Sequence, residues 1–274
     1  RLTREARRWR PDVLVSIMGP TVTLARLFLR RSRAIVLYDN ESAGLINRVV
    51  HRLCDVYLTP EAFMEDLGAR QRRYAGCHEL AYLHPDRFKP DPLVAERLGL
   101  AASNERLFFL RFVAWTSAHD VGESGFSLEG KRHVVNILRR HGRVTISSEA
   151  PLPEDLAPFA FPGPADAIHH VLARADLFVG ESSTMASEAC LLGTRAVYVS
   201  RTGRGVNDEQ ARIAGLVEHY DGRDEAAIRE RVTALLAWPD LKDDALSRRR
   251  IMLAAYRDPI EVLLETIEAI GPTT

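Results

Sequence analysis

LFVGESSTMASEACLLG, residues 177–193, reads as a strand, a turn and a helix in immediate succession. Leu177–Val179 is a short apolar run closed by Gly180, as a buried parallel strand tends to be. Glu181, Ser182, Ser183 and Thr184 then open a helix over Thr184–Leu192. The first turn of a helix carries unpaired N–H groups and the positive end of the helix dipole. Serine and threonine hydroxyls add donors there, so the turn suits a diphosphate. Glu188 lies four residues after Thr184, about one helical turn on, where a carboxylate can accept from two ribose hydroxyls. Taken locally, an ordinary helix capped by Ser182 or Ser183 explains the pattern equally well.

The alternation continues in both directions. Upstream, Val13–Ile17, Ala34–Tyr38, Val56–Thr59 and Arg72–Ala75 read as strands. Helices are expected over Thr21–Leu29, Ala43–Leu53 and Pro60–Leu67, the last opened by proline. Three prolines within 84–92, HPDRFKPDP, break any regular element and mark an interdomain linker. Downstream, Leu107–Val113, Val144–Ser147, Ala196–Val199 and Val217–His219 are strands. Helices are expected over Leu128–His141, Asp166–Ala175 with Asp166 as cap, Asp208–Ala214, Glu225–Trp238, Leu246–Tyr256 and Ile260–Ile270. Strands alternating with helices predict parallel α/β sheets. The expected architecture is two Rossmann-like domains facing a cleft: 1–83, a linker at 84–92, 93–258, and a C-terminal helix at 259–274. Ligands of such sheets lie beyond the carboxyl ends of the strands, so each loop after a strand is a candidate site loop. The chain begins at Arg1 within a helix-like pattern, and the first domain is expected to lack its first strands.

Composition narrows the partners. The chain has 274 residues, 46% hydrophobic and 27% charged, with a net charge of zero, which gives no reason to expect nucleic acid. Cys54, Cys77 and Cys190 are scattered, against a disulfide framework or a zinc site and in favour of a reducing cytoplasm. No apolar run reaches the roughly 18 residues of a transmembrane helix. The basic, apolar stretch 26–33, RLFLRRSR, is either a solvated helix end or a peripheral contact with an anionic inner membrane face carrying a lipid-linked acceptor. Neither GxxxxGK[ST] nor a helix-opening GxGxxG occurs, which excludes a P-loop NTPase and argues against a nicotinamide cofactor. No metal is expected.

Other side chains stand at strand ends. Arg111 lies on a buried strand and needs a phosphate or a carboxylate as partner. Residues 114–125, AWTSAHDVGESG, form the next loop, where glycines permit close backbone approach and His119 and Asp120 are candidate phosphate or sugar contacts. Glu149 reads as a turn residue, and His169 and His170 as surface or packing residues of an amphipathic helix.

Residues 180–200, GESSTMASEACLLGTRAVYVS, resemble the matching segment of UDP-N-acetylglucosamine 2-epimerases and related glycosyltransferase-B enzymes. Residues 76–92, 110–125, 146–153 and 180–194 together resemble the family known as domain of unknown function 354. The resemblance implies a nucleotide-sugar as substrate, no separate cofactor, and a sugar or lipid-linked acceptor. It places Glu41, in YDNESAGL (38–45), at a catalytic glutamate of the epimerases, and Asn47-Arg48 at their asparagine–arginine pair. Two further epimerase carboxylates are absent, since 17–20 reads IMGP and 44–46 reads GLI, which counts against elimination at carbon 2. His78 and Glu79 become candidate bases or sugar contacts, the other reading being a linker packed through Tyr82 and Leu83. Asp208 becomes a donor-sugar contact. The expected activity is glycosyl transfer from a nucleotide-sugar, held by Arg111, His119, Glu181, Ser182, Ser183, Thr184, Glu188 and Asp208, with Glu41, His78 and Glu79 doing the chemistry. The alternatives are an epimerase or hydrolase and a non-catalytic nucleotide-sugar-binding protein.

Overall fold

A computed structural model describes residues 2–29, 31–39, 50, 52–100, 102, 104–114, 124–201 and 205–271. Its described elements are, in chain order, α1 Leu2–Trp9, β1 Val13–Ile17, α2 Pro20–Arg26, β2 Arg33–Leu37, β3 Val56–Pro60, β4 Gln71–Tyr74, α3 Leu80–Leu83, α4 Val94–Arg97, β5 Leu107–Phe112, α5 Leu128–Leu138, β6 Arg143–Ser148, α6 Ile168–Arg174, β7 Leu177–Gly180, α7 Ser183–Leu191, β8 Arg195–Val199, α8 Gly205–Ala214, β9 Val217–Tyr220, α9 Glu225–Leu236, α10 Leu241–Ala255 and α11 Pro259–Ile270. All nine strands stand where the apolar runs predict them. They form two parallel sheets, ordered β1-β2-β3-β4 and β6-β5-β7-β8-β9. The chain divides into one unit of Arg1–Ala81 with Ala255–Thr274, and a second of Tyr82–Ala254.

In the first unit, side-chain alternation along the strands separates two apolar layers. Ala34, Val36, Tyr38 and Tyr57 pack with Val50, Cys54 and Phe63 on one face. Ile35, Leu37, Val56, Leu58 and Tyr74 pack on the other with Val262, Leu263 and Ile267 of α11. The C-terminal helix is therefore part of this core. It is fastened where the N–H of Arg257 donates to the carbonyl of Ala75 at 2.8 Å. Gly76 follows with φ +140, and a Cβ there would stand 3.1 Å from the Arg257 carbonyl oxygen. Asp55 joins α2 to β2, accepting from Arg26, Arg33 and the Ala34 N–H. Burial opposes ionisation of Asp55, but these donors hold its carboxyl below the usual range.

Two local expectations fail. Pro60–Leu67 is not helical: Pro60 ends β3, and the carbonyls of the following residues accept from side chains of β4. Arg73 reaches the carbonyls of Glu61, Phe63 and Glu65, and Gln71 those of Glu65 along with the Leu67 N–H. Partners from a neighbouring strand replace those a helix would supply. Asp166 is not a helix cap either, because it lies inside a short 3-10 turn, Ala165–Ala167, and α6 begins after Ala167 without a side-chain cap.

The second unit has a larger core. Phe108, Leu110, Val144, Ile146, Leu177, Val179, Val197 and Val199 of the sheet meet Val134, Val135 and Leu138 of α5 and Ile228, Val232 and Leu235 of α9. β7 and β8 are buried along their whole length, the condition of central parallel strands covered on both faces. Lys242 of α10 is half-buried here, donating to the carbonyls of Ala173 and Ala175 and to Thr194 Oγ1 at 2.7–2.9 Å. Burial pushes its pKa down to about 7, with Asp176 opposing the shift and Arg174 and Arg249 adding to it. Residues 84–92 are tied to this unit, where the Asp91 N–H donates to His170 Nδ1 at 2.8 Å. No helix among the described residues is long and apolar enough to cross a membrane.

Candidate functional site

The turn after β7 carries two carboxylates in different states. Glu181, at the strand end, has a side chain with no exposed surface. It accepts from the N–H groups of Val113 at 2.7 Å and Phe126 at 2.8 Å, and lies 3.2 Å from Lys131 Nζ. Burial raises its pKa above the usual glutamate value, although Lys131 and both amides favour the charged form. Glu181 thus pins both ends of the loop that follows β5. Gly125 is required beside it, since a Cβ there would stand 2.2 Å from Glu181 Oε1. A Cβ at Gly222 would come within 2.1 Å of the Gly125 carbonyl oxygen, so strand β9 leads into the same tight junction. His119 and Asp120, within this loop, lie outside the described residues, as do Glu41 and Asn47-Arg48.

Arg111 finds a carboxylate at the neighbouring strand end. Its guanidinium donates to Glu149 Oε1 at 2.6 Å and to Ser147 Oγ at 2.8 Å, while its Nε is buried without a partner. Glu149 Oε2 accepts from the Ala114 N–H at 3.1 Å, so Arg111, Ser147 and Glu149 also brace the start of the loop.

Ser182 caps α7, its side chain accepting from the Met185 N–H at 3.3 Å. Ser183 Oγ donates to Asn207 Oδ1 at 2.6 Å, and Asn207 Nδ2 returns a bond to the Ser183 carbonyl at 3.3 Å. Thr184 is exposed in the first turn. Asp208 is exposed on α8, whereas its buried neighbour Asn207 is the residue that reaches the head of α7. Gln210, one turn along, donates to Ser187 at 2.8 Å. Helices α7 and α8 are thereby zipped together beside an N-terminus that faces the carboxyl end of the sheet. The candidates that stand together here are Ser182, Ser183, Thr184 and Glu188.

Glu188 lies on the buried body of α7, with 9% of its side chain exposed. Oε1 accepts from Tyr82 Oη at 2.8 Å and stands 3.0 Å from His169 Nε2. Sequence reading missed both partners. Tyr82 lies 106 residues upstream, and a histidine on a short amphipathic helix gives no local sign of what it faces.

In the first unit, His78 Nδ1 lies 3.0 Å from Asp39 Oδ2. Its Nε2 is buried with no partner, and its ring packs on Tyr74 with centroids 6.1 Å apart. Asp39 follows β2 and His78 follows β4, both strand ends of the same sheet. The Asp39 contact is one of proximity without an aligned hydrogen bond, and both ring nitrogens are buried. Glu79, next in sequence, is buried. Among the described residues, no group of three or more His, Cys, Asp and Glu side chains is disposed to hold a metal ion.

No family model matches the chain, and no curated protein matches it. Solved structures are similar. The UDP-GlcNAc 2-epimerase of Neisseria meningitidis bound to UDP-GlcNAc is 13% identical, with 98% of this chain and 79% of that one covered at a TM-score of 0.64. MnaA of S. aureus in complex with UDP is 10% identical, with 94% and 75% covered at 0.63. The calicheamicin glycosyltransferase CalG4 is 15% identical, with 98% and 76% covered at 0.52. At such identities the likeness is one of fold. The fold is that of glycosyltransferase-B proteins, with two parallel-sheet α/β domains.

Proposed function

We propose that this protein is a nucleotide-sugar-dependent enzyme of the glycosyltransferase kind, whose second α/β unit binds the donor's diphosphate and ribose. The observation that carries this reading is Glu188, a buried carboxylate with one oxygen engaged, five residues beyond the start of a helix that opens at the carboxyl end of a central parallel strand. The N–H groups of the first turn of α7 and the exposed Thr184 hydroxyl suit the diphosphate, while the Ser182 and Ser183 hydroxyls cap the helix and bond Asn207. Such a leaving group needs charge stabilisation more than covalent help. Glu181 and Arg111 serve by holding the stems of the adjoining loop. The similar structures with UDP or UDP-GlcNAc bound support a uridine nucleotide as the first ligand to try.

Transfer also needs a base for the acceptor hydroxyl. His78, with Asp39 Oδ2 3.0 Å from its Nδ1, is assigned that part. The same pair favours a second reading, since an acid–base group can equally serve epimerisation or hydrolysis without an acceptor. Incubation with UDP-sugars, with and without candidate acceptors, separates the two. Transfer predicts nucleoside diphosphate release that depends on acceptor. An epimer or free sugar formed in its absence overturns the transferase reading.

A further inference from the structure

Residues 82–91 are clasped onto α6 by two consecutive histidines. His170 Nδ1 accepts from the Asp91 N–H, and its ring lies 4.9 Å from that of Phe88. His169 stands between the rings of Tyr82 and Phe88, with centroids 5.7 Å and 5.9 Å away. The clasp brings the Tyr82 hydroxyl and the His169 Nε2 to one atom, Glu188 Oε1. A carboxylate offers acceptors only, so His169 must carry its proton on Nε2 to bond there. Among the described residues, Oε2 of Glu188 has no donor.

We propose that Tyr82 and His169 are positioning residues: they lock Glu188 through Oε1 so that Oε2 is presented, in one orientation, to a ribose hydroxyl of the ligand. This rests on the proposed nucleotide-sugar reading of the same site. Part of the ordering that binding requires is already present in the fold. A glutamate has three side-chain torsions to fix, and an unsupported one loses that freedom when ligand binds. Here the carboxylate is already turned by two donors, one of them wedged between aromatic rings. With Oε1 occupied, the carboxylate offers the ribose one oxygen, not two. Glu188 therefore discriminates by the presence of a hydroxyl, and the strength of that discrimination depends on residues that never touch the ligand.

The test is a matched pair of ligands. Binding of UDP and of 2′,3′-dideoxy-UDP is measured by calorimetry on the wild type, Tyr82→Phe, His169→Ala and His169→Gln, each verified as folded by circular dichroism. Where another nucleoside diphosphate binds more tightly, its dideoxy form is used instead. The wild type is expected to prefer UDP by about tenfold or more, the worth of a hydrogen bond to a charged acceptor. Tyr82→Phe and His169→Ala should each cut that preference by about threefold or more while affinity for the dideoxy ligand stays within about twofold. His169→Gln, whose amide can donate, should restore much of it. Variants that keep the full preference, or that lose both ligands equally, overturn the positioning role. A wild type that binds both ligands equally instead refutes the ribose seat at Glu188, and one that binds no nucleoside diphosphate refutes the functional reading itself.

Discussion

Glu181 and Glu188 are seven residues apart, both buried, and they do opposite things. The first is surrounded by donors from three directions: two backbone amides and a lysine. The second meets two side-chain donors on one oxygen and, among the described residues, none on the other. A buried charge that is saturated from within holds a structure together. One that is half satisfied keeps capacity for a further donor. The residue type and its burial are the same in both, so the difference is told by counting donors at each oxygen.

Substitutions break or sharpen this contrast in graded steps. Glu181→Ala should have the largest effect, leaving Lys131 and two amides without their acceptor and costing about 3–5 kcal/mol in denaturant unfolding. A cost below about 1 kcal/mol would show that the saturated carboxylate is not a structural tie. Lys242 supplies the cationic counterpart, a half-buried amine whose hydrogen bonds go to neutral oxygens. Its pKa falls to about 7 in the native state against 10.5 for an ordinary lysine, so the native state binds fewer protons than the unfolded chain across that window. Stability contributed through Lys242 therefore rises with pH between these values. Relative to Lys242→Met, the wild type should gain about 2 kcal/mol between pH 6.5 and pH 9, and a flat difference would refute the shift. Glu188→Ala should cost less than Glu181→Ala in unfolding, about 1–2 kcal/mol for the two donors it strands, yet weaken nucleoside diphosphate binding by about 10- to 100-fold in calorimetry. Substantial unfolding with intact binding would reverse the roles of the two glutamates. Smallest is Ser182→Ala, which removes the cap of α7 at about 1 kcal/mol in thermal unfolding, with the helix retained.

Much of the fold was legible in the chain because parallel strands buried on both faces must be apolar throughout. FFL within β5 and AVYV within β8 announce themselves, and Ser182 marks the head of α7 by its own chemistry. The failures share a cause. Pro60–Leu67 looks helical because proline suits a first turn, but Arg73 and Gln71 satisfy its carbonyls from the next strand. The candidate site divides along the same line. Ser182, Ser183 and Glu188 lie within a few residues of one another and their grouping is readable. The roles of Tyr82, His169, Asn207 and Asp39 arise from partners 19 to 106 residues away, for which spacing offers no sign. Glu181 is ambiguous for the same reason: a carboxylate at a strand end can face a ligand or its own loop, and only the position of Val113 and Phe126 decides.

The bond from Arg257 to Ala75 has a bearing on how the molecule can be cut and rejoined. It holds two points of the first unit together, one on each side of the stretch 82–254 that forms the second. The polypeptide leaves its host and returns to nearly the same place, so the second unit sits in the chain as a guest entered through a single seam. A guest of that kind can be lifted out as one uninterrupted piece, and the host closed behind it with a short turn.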